Sequence, residues 1–174
     1  TVDFGHARVK RGEKSGLVRE VFSEVSETYD LFNDVASLGF HRIWKKYALW
    51  LLNLKSGEIL LDVASGSGDL AIKATELVNP AGTVVMCDIN DRMLEHGRNR
   101  CLDEGKLIPL VKANAESLPF MDNSFDKLTI GFGLRNITDK TKALHEFKRV
   151  LRPGGKALIL EFSQMSDGNP MKKV

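Results

Sequence analysis

A glycine-rich turn with an aspartate on either side is the part of this sequence best suited to bind a small polar ligand. The turn, Gly66-Ser67-Gly68, separates an apolar run that contains Asp62 from a helical pattern, and Asp88 ends the next apolar run. Glycine lets a ligand approach the backbone closely, and the first turn of a helix presents free N–H groups to a carboxylate or a phosphate. The pattern therefore predicts a ligand site at the end of the first run.

Two classes of cofactor fit this turn. The series Gly66-x-Gly68-x-x-Ala71, with Asp88 twenty residues after Gly68, satisfies the dinucleotide fingerprint. In both classes Asp88 would accept hydrogen bonds from the two ribose hydroxyls. Asp62 separates the classes, because the strand before a dinucleotide loop normally stays apolar to its end, whereas a carboxylate there can hold an ammonium group. A ligand with an amino acid end and a ribose end is S-adenosylmethionine, which we predict as the cofactor, with NAD as the alternative.

A further pair of candidate cofactor-binding residues stands at the end of the third apolar run. Asn114, followed by the small Ala115, could meet the exocyclic amine and the ring edge of an adenine. Asparagine at the end of a strand is more often a turn residue, and taken alone these two residues favour a turn. They are candidates for the site only together with the glycine turn.

The elements that must position these residues alternate regularly from residue 58 on. Short apolar runs alternate with helical stripes, which is typical of repeated β-α units with a parallel sheet flanked by helices. The five predicted strands are EILLDVA (58–64), GTVVMCD (82–88), LIPLVKA (107–113), FDKLTIGF (125–132) and GKALILEF (155–162). Pro153-Gly154-Gly155 is predicted to follow the last helix and to turn the chain sharply into the fifth strand.

The segment ahead of this α/β pattern is predicted to be helical and to contain no strand. One apolar stripe runs through residues 17–25, and a second, aromatic and basic, covers FHRIWKKYALWLL at 40–52. We therefore predict a helical N-terminal extension at 1–56 and an α/β domain at 57–174. The helix at 40–52 would suit a membrane surface. We favour instead a helix that packs its aromatic residues against the sheet and keeps its lysines in water.

The composition argues against several classes of protein. The 174 residues carry 25 Lys and Arg against 23 Asp and Glu, too small a basic excess for a protein held to nucleic acid by its charge. The longest apolar run, residues 47–52, is about a third of a bilayer span, and no secretory signal is recognisable. The two cysteines and four scattered histidines match no metal-binding spacing, so we expect no metal and a reducing, cytoplasmic location.

Six segments carry a family likeness, and they occur in one order along nearly the whole chain. They are YDLFNDVASLGFHRIW (29–44), LDVASGSGDL (61–70), CDIN (87–90), ANAESLPFMDNSFD (113–126), GFGLRNITD (131–139) and RVLRPGGKALILEFS (149–163). Together they resemble the ubiquinone/menaquinone biosynthesis C-methyltransferase family. The resemblance implies a Rossmann-like class I methyltransferase fold. It also implies S-adenosylmethionine as the cofactor, with Gly131 among the residues that bind it.

The resemblance further implies a reaction, the transfer of a methyl group to a ring carbon of a prenylated hydroquinone, a demethylmenaquinol or a methoxy-benzoquinol. That carbon reacts once a neighbouring phenol, whose pKa is near 10, loses its proton. We assign Arg135, with Asn136 beside it, to hold the phenolate or the water that takes the proton, because a guanidinium is a poor base. A surface arginine paired with Asp139 is the alternative. His41 and Asp30 are the candidates for the base.

Two other functions stay open at this stage. One is a methyltransferase for another small molecule, and the other is a non-catalytic cofactor-binding subunit of a quinone-synthesis complex. The expected partners are the prenylated substrate, the membrane surface as a peripheral contact, and a second copy of the chain or such a complex. Related enzymes continue past the fifth strand with a helix and an antiparallel strand pair, which we expect to be missing from this sequence.

Overall fold

One parallel sheet organises the described part of the chain. The computed structural model describes residues 2–4, 7–10, 16 and 40–161. The strands of the sheet are β3 (Ile59–Val63), β4 (Thr83–Asp88), β5 (Leu110–Lys112), β6 (Phe125–Gly131) and β7 (Leu151–Leu160). They agree with the five predicted apolar runs, so the predicted α/β architecture is confirmed.

The order of the strands determines where a ligand can bind. The sheet runs β5-β4-β3-β6-β7 and every neighbouring pair is parallel. The chain therefore winds outward in one direction from β3 to β5 and in the other from β6 to β7. In open sheets of this kind ligands bind at the carboxyl ends of the strands, beside the point where the winding reverses. Here that point lies between β3 and β6.

Within residues 40–161, four helices connect or cover the strands. They are α1 (Phe40–Leu52), α2 (Asp69–Val78), α3 (Asp91–Asp103) and α4 (Lys140–Val150), and a 3₁₀ turn covers Leu134–Asn136. Side-chain caps start two of them: Asn90 accepts hydrogen bonds from the first N–H groups of α3, and Asp139 does so for α4. Each cap satisfies N–H groups that have no partner within the helix.

The core lies on both faces of the sheet, because adjacent residues of a strand point to opposite sides. Leu60 packs in one cluster with residues of α1 and α2, and Leu61 packs in the other with Phe147 of α4. All three side chains are buried almost completely. Burial on both faces explains why the strands appear in the sequence as continuous apolar runs rather than as alternating patterns.

The last strand differs from its predicted start. β7 begins directly after α4, where Leu151 pairs with Phe125, but the next register pair joins Lys156 to Lys127. Residues 152–155 therefore bulge out of the ladder, which suits a segment with a proline that lacks an N–H donor. The predicted sharp turn is present, but as a bulge inside the strand and not ahead of it.

The N-terminal segment contains a hairpin that the sequence did not reveal. β1 (Val2–Phe4) pairs with β2 (Ala7–Val9) in antiparallel register, so the expectation of an extension without strands is wrong for these residues. The helix at 40–52 is confirmed as α1. The apolar stripe at 17–25 and the chain's last residues lie outside the described part. The division at residue 56 stays a prediction.

The orientation of α1 is opposite to the favoured interpretation. Its buried face carries Lys45 together with Ala48, Leu49 and Leu52, whereas its large aromatic and aliphatic side chains point outward. The exposed residues are Ile43, Trp44, Tyr47, Trp50 and Leu51. The prediction that this helix buries its aromatic residues and keeps its lysines in water is therefore wrong for the aromatic residues and for Lys45.

Candidate functional site

A cleft opens at the carboxyl ends of β3, β4 and β6, where the strand order places a ligand site. Of the residues predicted to bind cofactor or substrate, those that line it are Asp62, Gly66, Ser67, Asp88, Asn114, Ala115, Gly131 and Asn136. These residues lie far apart in the sequence and meet because parallel strands end at one edge of the sheet. Their individual roles stay predictions.

Asp62 is the most unusual group in the cleft. It lies on β3 and is only 1% exposed. Its Oδ1 accepts a hydrogen bond from the Thr129 hydroxyl at 2.7 Å, whereas its buried Oδ2 accepts none from any residue that the structure describes. Burial raises the pKa of Asp62 to about 7 and the Asp88 carboxylate adds to the rise, while Thr129, Lys45 and the Ala71 amide oppose it. A cation placed against Oδ2 would restore the ionised form.

Asp88 ends β4 and shapes the glycine turn. Its Oδ2 accepts a hydrogen bond from the Gly66 N–H at 3.0 Å, and its Oδ1 accepts one from the Asn90 N–H at 2.9 Å. Burial raises the pKa of Asp88, although these backbone N–H groups stabilise the charged form. A carboxylate oxygen accepts more than one hydrogen bond, so Asp88 can hold the turn and still bind hydroxyl groups of a ligand.

Gly68 is needed for the backbone and does not line the cleft. It precedes α2 in the left-handed region, with φ +79, and a Cβ there would lie 2.9 Å from Cε of Met86. Only glycine fits both conditions. The predicted role of Gly68 in contacting cofactor is therefore not supported by its position, whereas its role in turning the chain from the loop into α2 is clear.

Gly97 on α3 is a second required glycine, and it was not among the predicted site residues. A Cβ at this position would lie 2.7 Å from the carbonyl oxygen of Gly66. The absence of a side chain lets α3 approach the ligand loop closely. The signal in the sequence was a single glycine inside a helical pattern, which often marks close packing.

Lys45 is a charged residue for which the sequence prediction was wrong. It extends from α1 into the cleft, is 7% exposed, and its Nζ donates to Asp69 Oδ2 at 2.9 Å. Its spacing from Ala48, Leu49 and Leu52 matches the buried stripe of a helix. That periodicity could have revealed that Lys45 shares the inward face.

Asp69, the first residue of α2, collects three cations beside the glycine turn. Its Oδ2 pairs with Lys45, and its Oδ1 lies 3.1 Å from Lys73 Nζ and 3.1 Å from Arg100 Nη2. Burial by itself would raise the pKa of Asp69, but Lys45 and Lys73 hold it well below its usual range. The aspartate is therefore ionised at neutral pH, and it joins α1, α2 and α3 next to the cleft.

Arg135 lies in the 3₁₀ turn after β6 and is held at the end of β7. Its Nη1 donates to Glu161 Oε1 at 2.6 Å, and its backbone N–H donates to Glu161 Oε2 at 3.0 Å. The arginine side chain is 41% exposed and does not line the cleft, although its neighbour Asn136 does. Glu161 is a partner that the sequence did not identify, because it lies in a segment whose pattern indicates only a strand.

Asn114 and Ala115, which follow β5, form a turn and also line the cleft. Asn114 Oδ1 accepts a hydrogen bond from the Glu116 N–H at 3.0 Å, which is the turn that the residue type favours. Both Asn114 and Ala115 also line the cleft, so the turn places them where a ligand would lie. The backbone of His41 lies in α1, but its side chain and all of Asp30 are outside the described residues.

The described residues contain neither a cluster of metal ligands nor a helix that could span a membrane. Among them, no three His, Cys, Asp or Glu side chains lie together as metal ligands would. None of the helices found there has the length and apolar character to cross a bilayer.

The sequence is similar to a family of methyltransferases. The model of the ubiE/COQ5 methyltransferase family matches residues 8–173. Proteins named ubiquinone/menaquinone biosynthesis C-methyltransferase UbiE are similar. That of Hahella chejuensis is 51% identical over 166 residues, 94% of this chain and 67% of the relative. Those of Pseudomonas putida and Serratia proteamaculans are 52% and 50% identical over the same share of this chain and 65% and 66% of their own length. The chain thus spans about two thirds of the length of these relatives.

Solved structures share the fold. A SAM-dependent methyltransferase from Aquifex aeolicus matches with a TM-score of 0.64 and 25% identity, over 75% of this chain and 71% of that one. The [4+2]-cyclase SpnF matches with a TM-score of 0.73 and 21% identity, over 87% of this chain and 63% of that one. At that identity the second likeness shows the fold alone, which is Rossmann-like as the sequence predicted.

Proposed function

The chain belongs to the ubiE/COQ5 methyltransferase family, and on that premise we propose that it methylates a ring carbon of a prenylated hydroquinone with S-adenosylmethionine as methyl donor. The acceptor would be a demethylmenaquinol or a methoxy-benzoquinol, since the relatives are named for ubiquinone/menaquinone biosynthesis. The observation that carries the proposal is the Asp62 carboxylate oxygen, which is buried at the cleft and accepts no hydrogen bond from the described residues.

The polar groups of the cleft fit the two ends of this cofactor. Asp62 Oδ2 would accept hydrogen bonds from the ammonium of the amino acid end, and Asp88 would accept them from the ribose hydroxyls. Asn114 and Ala115 line the same cleft as Gly66 and would contact the adenine. A dinucleotide has no ammonium group, so Asp62 would stay unsatisfied in a complex with NAD.

The chain would contribute position and charge to the reaction. When bound, the cofactor supplies an electrophilic methyl group on a sulfonium. The guanidinium of Arg135 would stabilise the phenolate form of the acceptor, since a phenol is mostly protonated at neutral pH. Glu161 limits the orientations of the guanidinium through two hydrogen bonds to the same residue. Asn136 lines the cleft next to it.

The general base stays open between His41 and Asp30. Alignment of donor and acceptor alone is worth up to about 7–11 kcal/mol, so the base need not account for most of the rate. Two alternatives also remain, a methyltransferase for another small molecule and a non-catalytic subunit of a quinone-synthesis complex. The fold does not choose between these alternatives, because a [4+2]-cyclase shares it and the fold by itself does not fix the reaction.

Turnover distinguishes these functions. The chain is incubated with S-adenosylmethionine and either a demethylmenaquinol or a demethylated benzoquinol, and the methylated product is measured by mass spectrometry. Product from either acceptor, lost in Asp88→Ala, supports the proposal. Methylation of other phenols but of neither quinol would favour the first alternative. Cofactor binding without turnover, unchanged in Arg135→Ala, would favour the second.

The outward face of α1 gives the protein a means of reaching a prenylated substrate. Trp50 is 70% exposed and its ring stacks on Tyr47 with centroids 5.5 Å apart, and the exposed Lys46 lies on the same helix. Exposed aromatic residues with a neighbouring cation are typical of helices that lie at a membrane interface. We place the protein in the cytoplasm, in peripheral contact with the membrane through this face. A second copy of the chain, or a quinone-synthesis complex, is the competing occupant.

Vesicle co-sedimentation separates these occupants. Phosphatidylglycerol-containing vesicles should retain the chain and should retain Trp50→Ser less well, because the tryptophan supplies much of the apolar contact. Sedimentation velocity on the wild type and on Trp50→Ser measures whether the chain dimerises through the same face. Dimerisation through this face without binding to vesicles would contradict the membrane contact and support the second copy.

A further inference from the structure

Lys45 is a buried ammonium that makes one hydrogen bond within the described part of the chain. An ammonium group has three N–H donors. In the described part of the chain, the one hydrogen bond that Lys45 Nζ makes is to Asp69 Oδ2, and the side chain lines the cleft. A buried cation with spare donors is costly unless another acceptor, such as a ligand or water, completes its shell.

A second incomplete group of opposite charge lines the same cleft. Asp62 Oδ2 is buried and lacks a hydrogen-bond donor among the described residues. The two groups are close enough for the positive charge of Lys45 to favour the ionised form of Asp62, yet no ion pair joins them. Among the described residues, the cleft thus presents a buried acceptor without a donor, Asp62 Oδ2, and an ammonium with one hydrogen bond, Lys45 Nζ.

That pair of groups matches an α-amino acid end, which carries an ammonium and a carboxylate on one carbon. We propose that Lys45 binds the α-carboxylate of S-adenosylmethionine while Asp62 binds its α-ammonium. The inference rests on the proposed function for the identity of the ligand. It adds a contact from α1, which lies outside the glycine turn and the strand ends that hold the rest of the cofactor.

Asp69 can share Lys45 with a ligand because other cations also compensate the negative charge of Asp69. Its other oxygen, Oδ1, pairs with both Lys73 and Arg100. Lys73 and Arg100 therefore continue to compensate the charge of Asp69 when Lys45 also contacts an anionic group of a ligand. The contact also has a structural consequence, because a ligand bound to Lys45 would tie α1 to the glycine turn.

The test compares two ligands that differ only in the carboxylate. Decarboxylated S-adenosylmethionine keeps the sulfonium, the ammonium and the nucleoside. Calorimetric titration of both ligands is carried out on the wild type, on Lys45→Met, and on Lys46→Met as the matched control, whose lysine is exposed on the same helix. We expect Lys45→Met to lose about 10- to 100-fold in affinity for S-adenosylmethionine, the range for one charge-assisted hydrogen bond.

The affinity of Lys45→Met for the decarboxylated ligand should stay the same or rise, because the lysine can only repel that more positive molecule. Lys46→Met should bind both ligands as the wild type does. Equal losses of affinity for both ligands in Lys45→Met would show that Lys45 acts only by docking α1. This result would overturn the inference about Lys45 but would leave the proposed function standing. If the wild type binds neither ligand, the inference and the proposed function both fail.

Folding of the variant is checked by circular dichroism. If Lys45→Met does not fold, Lys45→Gln replaces it, since an amide can still donate to Asp69. The wild type also gives an answer without any variant: it should prefer S-adenosylmethionine over the decarboxylated ligand by at least tenfold. Equal affinities of the wild type for the two ligands would overturn the assignment.

Discussion

Replacing Asp62 by asparagine should make the unliganded protein more stable at alkaline pH while it weakens cofactor binding. Burial raises the pKa of Asp62 from 3.8 to about 7. A carboxyl whose pKa is higher in the folded state stabilises the fold most at low pH, and that contribution is lost as the pH rises from about 4 to about 7. Above pH 7 the folded protein holds an ionised, buried carboxylate with one oxygen unsatisfied, whereas asparagine stays neutral.

The size of the effect follows from the pKa values of Asp62 in the unfolded and folded chain. Between pH 5 and pH 8 the wild type should lose about 2–3 kcal/mol of unfolding free energy through Asp62 alone, because each tenfold change in proton affinity corresponds to about 1.4 kcal/mol. Asp62→Asn cannot lose this contribution. Other titrating groups cancel when the variant is compared with the wild type at each pH. Thr129 can still donate to the side-chain oxygen of asparagine, so the hydrogen bond at 2.7 Å is retained.

Urea unfolding of both proteins, followed by circular dichroism at pH 5 and at pH 8, measures this difference. The stability of Asp62→Asn relative to the wild type should rise by about 2–3 kcal/mol between the two pH values. Asp126→Asn is the control whose relative stability should hardly change between pH 5 and pH 8. The Ile59 N–H and Arg152 lower the pKa of Asp126 even though burial opposes them, so this carboxyl is ionised in both the folded and the unfolded chain throughout that range. A relative stability of Asp62→Asn that is the same at pH 5 and pH 8 would refute the assignment of a strained, buried carboxylate to this position.

Other changes test separate parts of the site. Glu161→Gln should lower turnover about tenfold and leave cofactor affinity unchanged, because it weakens a charge-assisted hydrogen bond to Arg135; an unchanged kcat would contradict that role. Gly68→Ala should destabilise the fold by roughly 1–3 kcal/mol in urea unfolding, since φ is +79 and Met86 blocks the Cβ, whereas Gly105→Ala, with positive φ in open space, should cost less. Trp50→Ser should reduce retention by vesicles without changing turnover of a short-chain quinol, and equal retention would contradict the membrane contact.

The strands and the ligand loop could be predicted because local patterns determine them. Strands buried on both faces leave continuous apolar runs, and Gly66 and Gly68 mark a tight turn directly before a helical pattern. Asp62 and Asp88 stood out because a carboxylate at the end of a buried strand needs a reason to be there. These residues meet in the cleft as the parallel order of the strands requires.

Features that depend on contacts between distant segments could not be predicted in the same way. Lysine side chains usually lie in water, so the sequence predicts an exposed Lys45. Three cations share Asp69 only once α1, α2 and α3 are assembled. The pairing of Arg135 with Glu161 joins the turn after β6 to the end of β7 across 26 residues of sequence. The prediction that α1 buries its aromatic residues is wrong for a related reason, because the buried stripe of this helix is narrow and includes a charged residue.

The most direct test of the account is a calorimetric titration of the chain with S-adenosylmethionine and with NAD, at pH 7 in two buffers of different ionisation enthalpy. Because the pKa of Asp62 is about 7 before binding, roughly half a proton should be released when the ammonium of the cofactor holds the carboxylate in its ionised form. We expect S-adenosylmethionine to bind with that proton release, Asp62→Asn to show no such release, and NAD not to bind. Binding of NAD, or binding of S-adenosylmethionine with no proton release, would contradict that expectation.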